Sequence, residues 1–194
     1  DGVVLATPAH TAAKIVKSTS DALARELAQI EHATTVVVSV AAERRQIAHP
    51  LDGFGVVVPR CELRPIIAVS FASQKYPERA PADVALLRVF VGGALQPELA
   101  ELPDHELTNL VIGQLKDLVG FTGTGSIVDI ARWPQSMPQY HLGHLSLVDR
   151  IEQLVADLPG FALAGNAYHG VGIPQCIRSG EHADKTIVAH FHSR

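Results

Sequence analysis

The chain has 194 residues, of which 47% are hydrophobic, enough for one or two cores that bury roughly 70% of the unfolded surface. Its formal charge is only −4, and its 16 Lys and Arg residues are scattered along the chain instead of forming a basic or aromatic-interleaved stripe, which argues against nucleic acid as a partner. Two distant cysteines form neither a CxxC pair nor a disulfide framework, favouring a reducing, cytoplasmic setting, and no apolar run reaches the ~18 residues of a spanning helix, so only peripheral membrane association stays open.

Val3-Val4-Leu5-Ala6 is a strand-like run that ends at Thr7-Pro8, and no methionine precedes it. We therefore read the chain as a fragment that starts within a strand, the alternative being a trimmed but self-sufficient domain. Ala9 to Ile30 has helical spacing, with Ile15, Leu23, Leu27 and Ile30 on or near one face and a break near Ser18-Thr19-Ser20, where Ser20 can cap a second helix. Four strands follow, at Thr34 to Ala42, Phe54 to Val58, Ile66 to Ala72 and Val84 to Val91, which predicts a mixed or antiparallel sheet. Asp104 to Val119 returns to helical periodicity, with Asp104 as N-cap and Gly120 just past the end; this helix should cover one face of the sheet. Ser126 to Trp133 reads as a strand and Pro134 to Gly143 as a proline-broken loop. Leu145 to Leu158 reads as a helix, Phe161 to Ala164 as a short strand, Gly165 to Pro174 as a loop, and Gln175 to Phe191 as the last helix.

The most informative stretch runs from Leu163 to Ala183, a strand, a glycine-rich turn and a helix. Gly165, Gly170 and Gly172 lack Cβ atoms and permit positive φ, so the backbone can approach a ligand closely. A helix that opens near Pro174 turns free N–H groups toward the occupant of the turn, as an anion or an electron-rich ring edge requires. No third glycine stands at the dinucleotide spacing, so this is not the usual phosphate turn.

This stretch resembles the C-terminal FAD signature of protoporphyrinogen and coproporphyrinogen oxidases, within the wider family of flavin-containing amine oxidases. Further segments match in the same order: Ala6-Thr-Pro-Ala9, Gly53-Phe-Gly-Val-Val-Val-Pro-Arg60, Ser73-Gln-Lys-Tyr-Pro-Glu-Arg-Ala-Pro81, Leu87-Arg-Val-Phe-Val-Gly-Gly93, Arg132-Trp133, Met137-Pro-Gln-Tyr140 and Gly143-His144. The resemblance implies an α/β (α+β) fold, the C-terminal part of a two-domain FAD-dependent architecture. Residues 1–18 and 133–194 would belong to the FAD domain, as a strand-turn-helix, and 19–132 to a mixed-sheet substrate domain with covering helices. The nucleotide-binding N-terminal half would be a missing partner, and a homodimer stays open.

By the same resemblance the cofactor is FAD, and the substrates are a porphyrinogen and molecular oxygen. Trp133, Gly165, Asn166, Val171, Gly172 and Ile173 would bind the cofactor. Phe54, Gly55, Val57 and Phe90 would line the substrate slot. No general base is assigned, and the arginine that pairs with a substrate propionate in relatives would lie upstream. Taken alone, Phe54, Phe90 and Trp133 are core aromatics. His141 and His144 lack a third metal ligand and suit surface or capping roles; His182, His190 and His192 suit a solvated face; Cys176 suits packing. No nucleophile elbow frames a serine. The competing readings are another flavin enzyme of the family, a desaturase or amine oxidase, and a non-catalytic scaffold.

Overall fold

The computed structural model describes residues 1–192; Ser193 and Arg194, at the end of the expected C-terminal segment, lie outside the described residues. The chain divides into two compact units, Ala33–Met137 and the combination of Asp1–His32 with the stretch from Pro138 onward. Among the described residues, no helix is long and apolar enough to cross a membrane.

In the first unit, β2 (His32–Glu43), β3 (Gly55–Val57), β4 (Ala68–Phe71), β5 (Val84–Gly92) and β6 (Ser126–Pro138) form one sheet in the order β3-β4-β5-β2-β6. The consecutive pairs β3 with β4 and β4 with β5 are antiparallel, as their short connections predict, and β2 with β5 is antiparallel as well although two strands lie between them in the chain. Alternate residues decide the core: Val36, Val38 and Val40 of β2, Leu87, Val89 and Val91 of β5, and Val69 and Phe71 of β4 are all buried on one face. Helix α4 (Asp104–Val119) covers that face with Leu107, Val111, Leu115 and Val119, spaced four apart along one stripe. Each such side chain contributes about 1.5–3 kcal/mol by leaving water. The short helix α3 (Ala72–Lys75) follows β4 directly.

Two expectations change here. Asp104 is the first residue of α4, not its cap, because Pro103 occupies the preceding extended position; the carboxylate instead accepts from Arg132 Nη1 at 2.7 Å. Pro134 does not break β6, which continues to Pro138. As the edge strand it does not need every N–H for a ladder, so prolines are tolerated.

In the second unit, α1 (Ala9–Val16), α2 (Asp21–Ala28) and α5 (His144–Ala156) share a core of Ala9, Ala12, Val16, Leu23, Leu27, Val148 and Ile151. Ser20 caps α2 as expected, its Oγ accepting from the Leu23 N–H at 3.2 Å. Ile15 is not part of this core. It is exposed, and the small stripe Ala9, Ala12, Ala13 and Val16 faces inward in its place. Because α2 packs with α1 and α5, the chain divides after His32, later than the expected boundary at residue 18. Strand β1 (Val3–Leu5) pairs in parallel with β7 (Phe161–Leu163), and α6 (Ile173–His192) closes the described chain.

Candidate functional site

The ladder of β1 and β7 extends one step, Ala164 N–H donating to Leu5 O at 3.0 Å, and the chain then turns at Gly165. Gly165 has φ +130, a conformation that L side chains rarely adopt, and a Cβ placed there would meet no atom within 4 Å. Backbone shape, not crowding, therefore requires the glycine, and the space beside it is open. The Gly165 N–H is anchored on Ser179 Oγ of α6 at 3.0 Å. Gly172 differs from the expectation: its φ is not positive, and a Cβ would meet chiefly the end of the Gln175 side chain. Its role is at the start of α6, where its carbonyl accepts the first helical bond, from Cys176 N–H at 3.0 Å. The first-turn N–H groups have no partner inside the helix. Exposed Val171 and Ile173 flank Gly172 with apolar surface.

Tyr140 holds this turn closed. Its hydroxyl donates to Asn166 O at 2.7 Å and accepts from Gly170 N–H at 2.8 Å, so one phenol bridges the two ends of the 166–170 loop. The ring stacks on His144 with centroids 3.9 Å apart. His144 is buried, and its Nε2 lies 2.9 Å from Tyr168 O; a carbonyl only accepts, so that nitrogen carries the proton. Desolvation pushes the Tyr140 hydroxyl above the ordinary tyrosine range and outweighs the Gly170 N–H, which favours the ionised form. Sequence reasoning quoted both residues within matching segments but gave neither this role. Tyr140→Phe keeps the stack and removes both loop bonds, at a local cost of about 1–3 kcal/mol. If the expected flavin sits at this turn, the variant should retain the wild-type melting temperature within a few degrees and lose bound flavin on gel filtration. Full retention would rule out the staple.

In the sheet unit, the strand registers set two cross-strand rows on the face away from α4. One is Val57, Ala68, Phe90 and Val37; the other is Gly55, Ser70, Arg88 and Ser39. Three of the four residues expected at the substrate therefore share one face. Phe54 lies just ahead of β3, its carbonyl accepting from Phe71 N–H at 3.0 Å. Phe54 and Val57 are 70% and 78% exposed, and Phe90 is half-buried, so none of them is a core residue. Gly55 has φ +152, and a Cβ there would run into Val69 O, so the glycine lets β3 lie against β4. Trp133, expected in the C-terminal segment, lies on edge strand β6 of the sheet unit and is 53% exposed.

The other candidates divide as follows. His141 Nε2 lies 2.9 Å from Glu31 Oε2, so it and His144 are engaged separately. Cys176 is half-buried in the first turn of α6. His182 and His192 are exposed, but His190 is half-buried beside Gly160 and lines a cavity of about 940 Å³ with Ile151, Val155, Phe161, Leu163 and Ala183. That cavity does not include Gly165 or the 170–173 turn. Tyr168, 5% exposed, also borders it; its hydroxyl has no hydrogen-bond partner among the described residues, and burial pushes its pKa up to about 12. The unfolded chain ionises near pH 10 while the folded chain keeps this proton to about 12, so below pH 10 the group makes stability independent of pH, and stability falls as pH climbs from 10 through 12. Tyr168→Phe should flatten that alkaline loss, about 2–3 kcal/mol in unfolding titrations, and leave neutral-pH stability unchanged or higher. An unchanged alkaline profile would contradict this.

Residues 1–185 match the family described as flavin containing amine oxidoreductase. Over 97% of its length the chain is 36% identical to a coproporphyrinogen III oxidase of Propionibacterium freudenreichii subsp. freudenreichii, of which it covers 36%. It is 30% identical over its whole length to the mitochondrial protoporphyrinogen oxidase of Nicotiana tabacum, covering 39% of that protein. All of the chain superposes, with a TM-score of 0.82 and 32% identity, on 42% of a crystal structure from Exiguobacterium sp. 255-15 provisionally named a protoporphyrinogen oxidase. The chain thus spans less than half the length of the relatives it matches. With a left-handed glycine turn leading into its last helix and a family match over nearly its whole length, the chain belongs to the flavin containing amine oxidoreductases.

Proposed function

We propose that this chain is the C-terminal part of an FAD-dependent porphyrinogen oxidase. The observation that carries the reading is the apolar row of exposed Val57 and half-buried Ala68 and Phe90, ending at buried Val37, on the face away from α4 in a chain whose relatives are named as porphyrinogen oxidases. On this reading the sheet unit is the substrate segment, and the unit holding β1, β7 and α6 is a segment of the FAD domain. A two-stranded parallel ladder of three residues per strand is too small to stand alone, and parallel sheets normally have both faces covered; the nucleotide-binding half would supply that cover.

The residues fit part of a flavin. The open space at Gly165, the unpaired N–H groups at the start of α6 and the exposed apolar flanks Val171 and Ile173 suit a planar ring with an electron-rich edge. Val171, Gly172 and Ile173 would hold that edge, where the helix N-terminus favours the negative charge that develops on reduction. Gly165 and Asn166 would pass beside the ribityl or pyrophosphate part, their backbone fixed by Ser179 and Tyr140. FAD, when bound, supplies the redox chemistry: the overall change removes six electrons and six protons from the porphyrinogen and, in three rounds, reduces three molecules of oxygen to hydrogen peroxide. The chain's own part is to lay the macrocycle on Val57 and Phe90, with Phe54 at the margin, and keep water from that face.

The test is steady-state turnover by the full-length holoenzyme, followed by porphyrin fluorescence. Coproporphyrinogen III or protoporphyrinogen IX should be oxidised and simple amines left untouched. Oxidation of amines with no porphyrin formed would overturn the assignment.

A further inference from the structure

Arg88 stands in the second row of the face away from α4, between Ser39 on β2 and Ser70 on β4, with Gly55 one strand further. These small neighbours leave the guanidinium room above the sheet. It also lies over the Phe90 ring, 5.8 Å from its centroid, next to the apolar row. The other arginines show what Arg88 lacks. Arg25, Arg45, Arg64, Arg132 and Arg150 each hold a carboxylate, and Arg44 bonds three backbone carbonyls. Arg60, Arg79 and Arg178, like Arg88, have no ion pair among the described residues, but they are exposed and Arg88 is half-buried. The single carboxylate on this face of β2 to β5, Glu43, is taken by Arg45.

The five donors of this half-buried arginine meet no protein carboxylate among the described residues and are left to an incoming anion. Resting on the porphyrinogen reading, we propose that Arg88 binds a propionate carboxylate of the tetrapyrrole and so fixes the orientation of the macrocycle on the sheet. The two rows are about 6–7 Å apart along the strands, which places an apolar strip for the ring beside a cation for a substituent on its rim. The planar fork of arginine donates two parallel hydrogen bonds to a carboxylate, which a lysine cannot reproduce.

The experiment compares the wild-type holoenzyme with Arg88→Ala and Arg88→Lys on coproporphyrinogen III and on its tetramethyl ester. It also measures binding of coproporphyrin III and of its tetramethyl ester by fluorescence quenching. Arg88→Ala should raise KM and Kd for the free acids about tenfold to a hundredfold, leave the ester values where the wild type has them, and keep the flavin spectrum and melting temperature. Arg88→Lys should fall between. If Arg88→Ala weakens acid and ester equally, or neither, the carboxylate role is wrong while the porphyrinogen reading survives. A wild-type holoenzyme that turns over neither porphyrinogen removes the functional reading and this proposal with it.

Discussion

Replacing Gly165 with valine in the full-length enzyme is expected to abolish stoichiometric FAD. At φ +130 a β-branched residue is strained by about 1–3 kcal/mol or more, so the turn shifts to a different backbone conformation. The added side chain also fills the open space into which the cofactor would fit. Together these effects should weaken FAD by roughly a hundredfold or more. The flavin-to-protein ratio after gel filtration reads the first consequence, and thermal unfolding of the apoprotein reads the strain separately. A Gly165→Val enzyme that stays FAD-replete would place the cofactor elsewhere. Gly172→Ala is the contrasting case: with no positive φ to maintain, it should fold as the wild type does.

Phe71 and Phe90 lie on adjacent strands but on opposite faces, and truncating them should give opposite results. Phe71 is 1% exposed among the side chains that pack under α4, so Phe71→Ala leaves a cavity and should cost about 3–5 kcal/mol of stability, enough to unfold a marginal domain. Phe90 is half-buried on the other face. Phe90→Ala should cost less than about 1.5 kcal/mol of stability, raise KM for porphyrinogen by about tenfold, and leave the flavin spectrum intact. Denaturant unfolding and steady-state kinetics on the same preparations check both. A Phe90→Ala protein with a large stability loss and unchanged KM would return that residue to the core.

The strands of the sheet were legible because 34–42 is rich in β-branched residues and 84–91 is almost wholly apolar; which residues share a face was not, because both runs are apolar on both sides and only the register parts Val36 and Val38 from Val37. The cap at Ser20 and the stop at Gly120 were legible because they are local chemistry. Strand β6 was cut short at Pro134 because a proline reads as a break, and only the three-dimensional order reveals that it sits on an edge. The glycine turn announced itself, but which glycines are conformationally required did not: Gly165 and Gly170 carry positive φ and Gly172 does not. Tyr140 remained silent because its partners, Asn166 and Gly170, are 26 and 30 residues away. Arg88 was passed over for the same reason. Its lack of an ion pair among the described residues depends on which strands flank it, and register is not written in composition.

The most direct test of the account is a single anaerobic turnover. The full-length holoenzyme, FAD-loaded and free of oxygen, is mixed in separate runs with one equivalent of coproporphyrinogen III and of protoporphyrinogen IX, and the flavin absorbance is followed. The account predicts that the absorbance bleaches as the porphyrinogen is oxidised and returns when oxygen is admitted, with hydrogen peroxide formed. Flavin that stays oxidised in the presence of porphyrinogen, but bleaches with an amine, would contradict it.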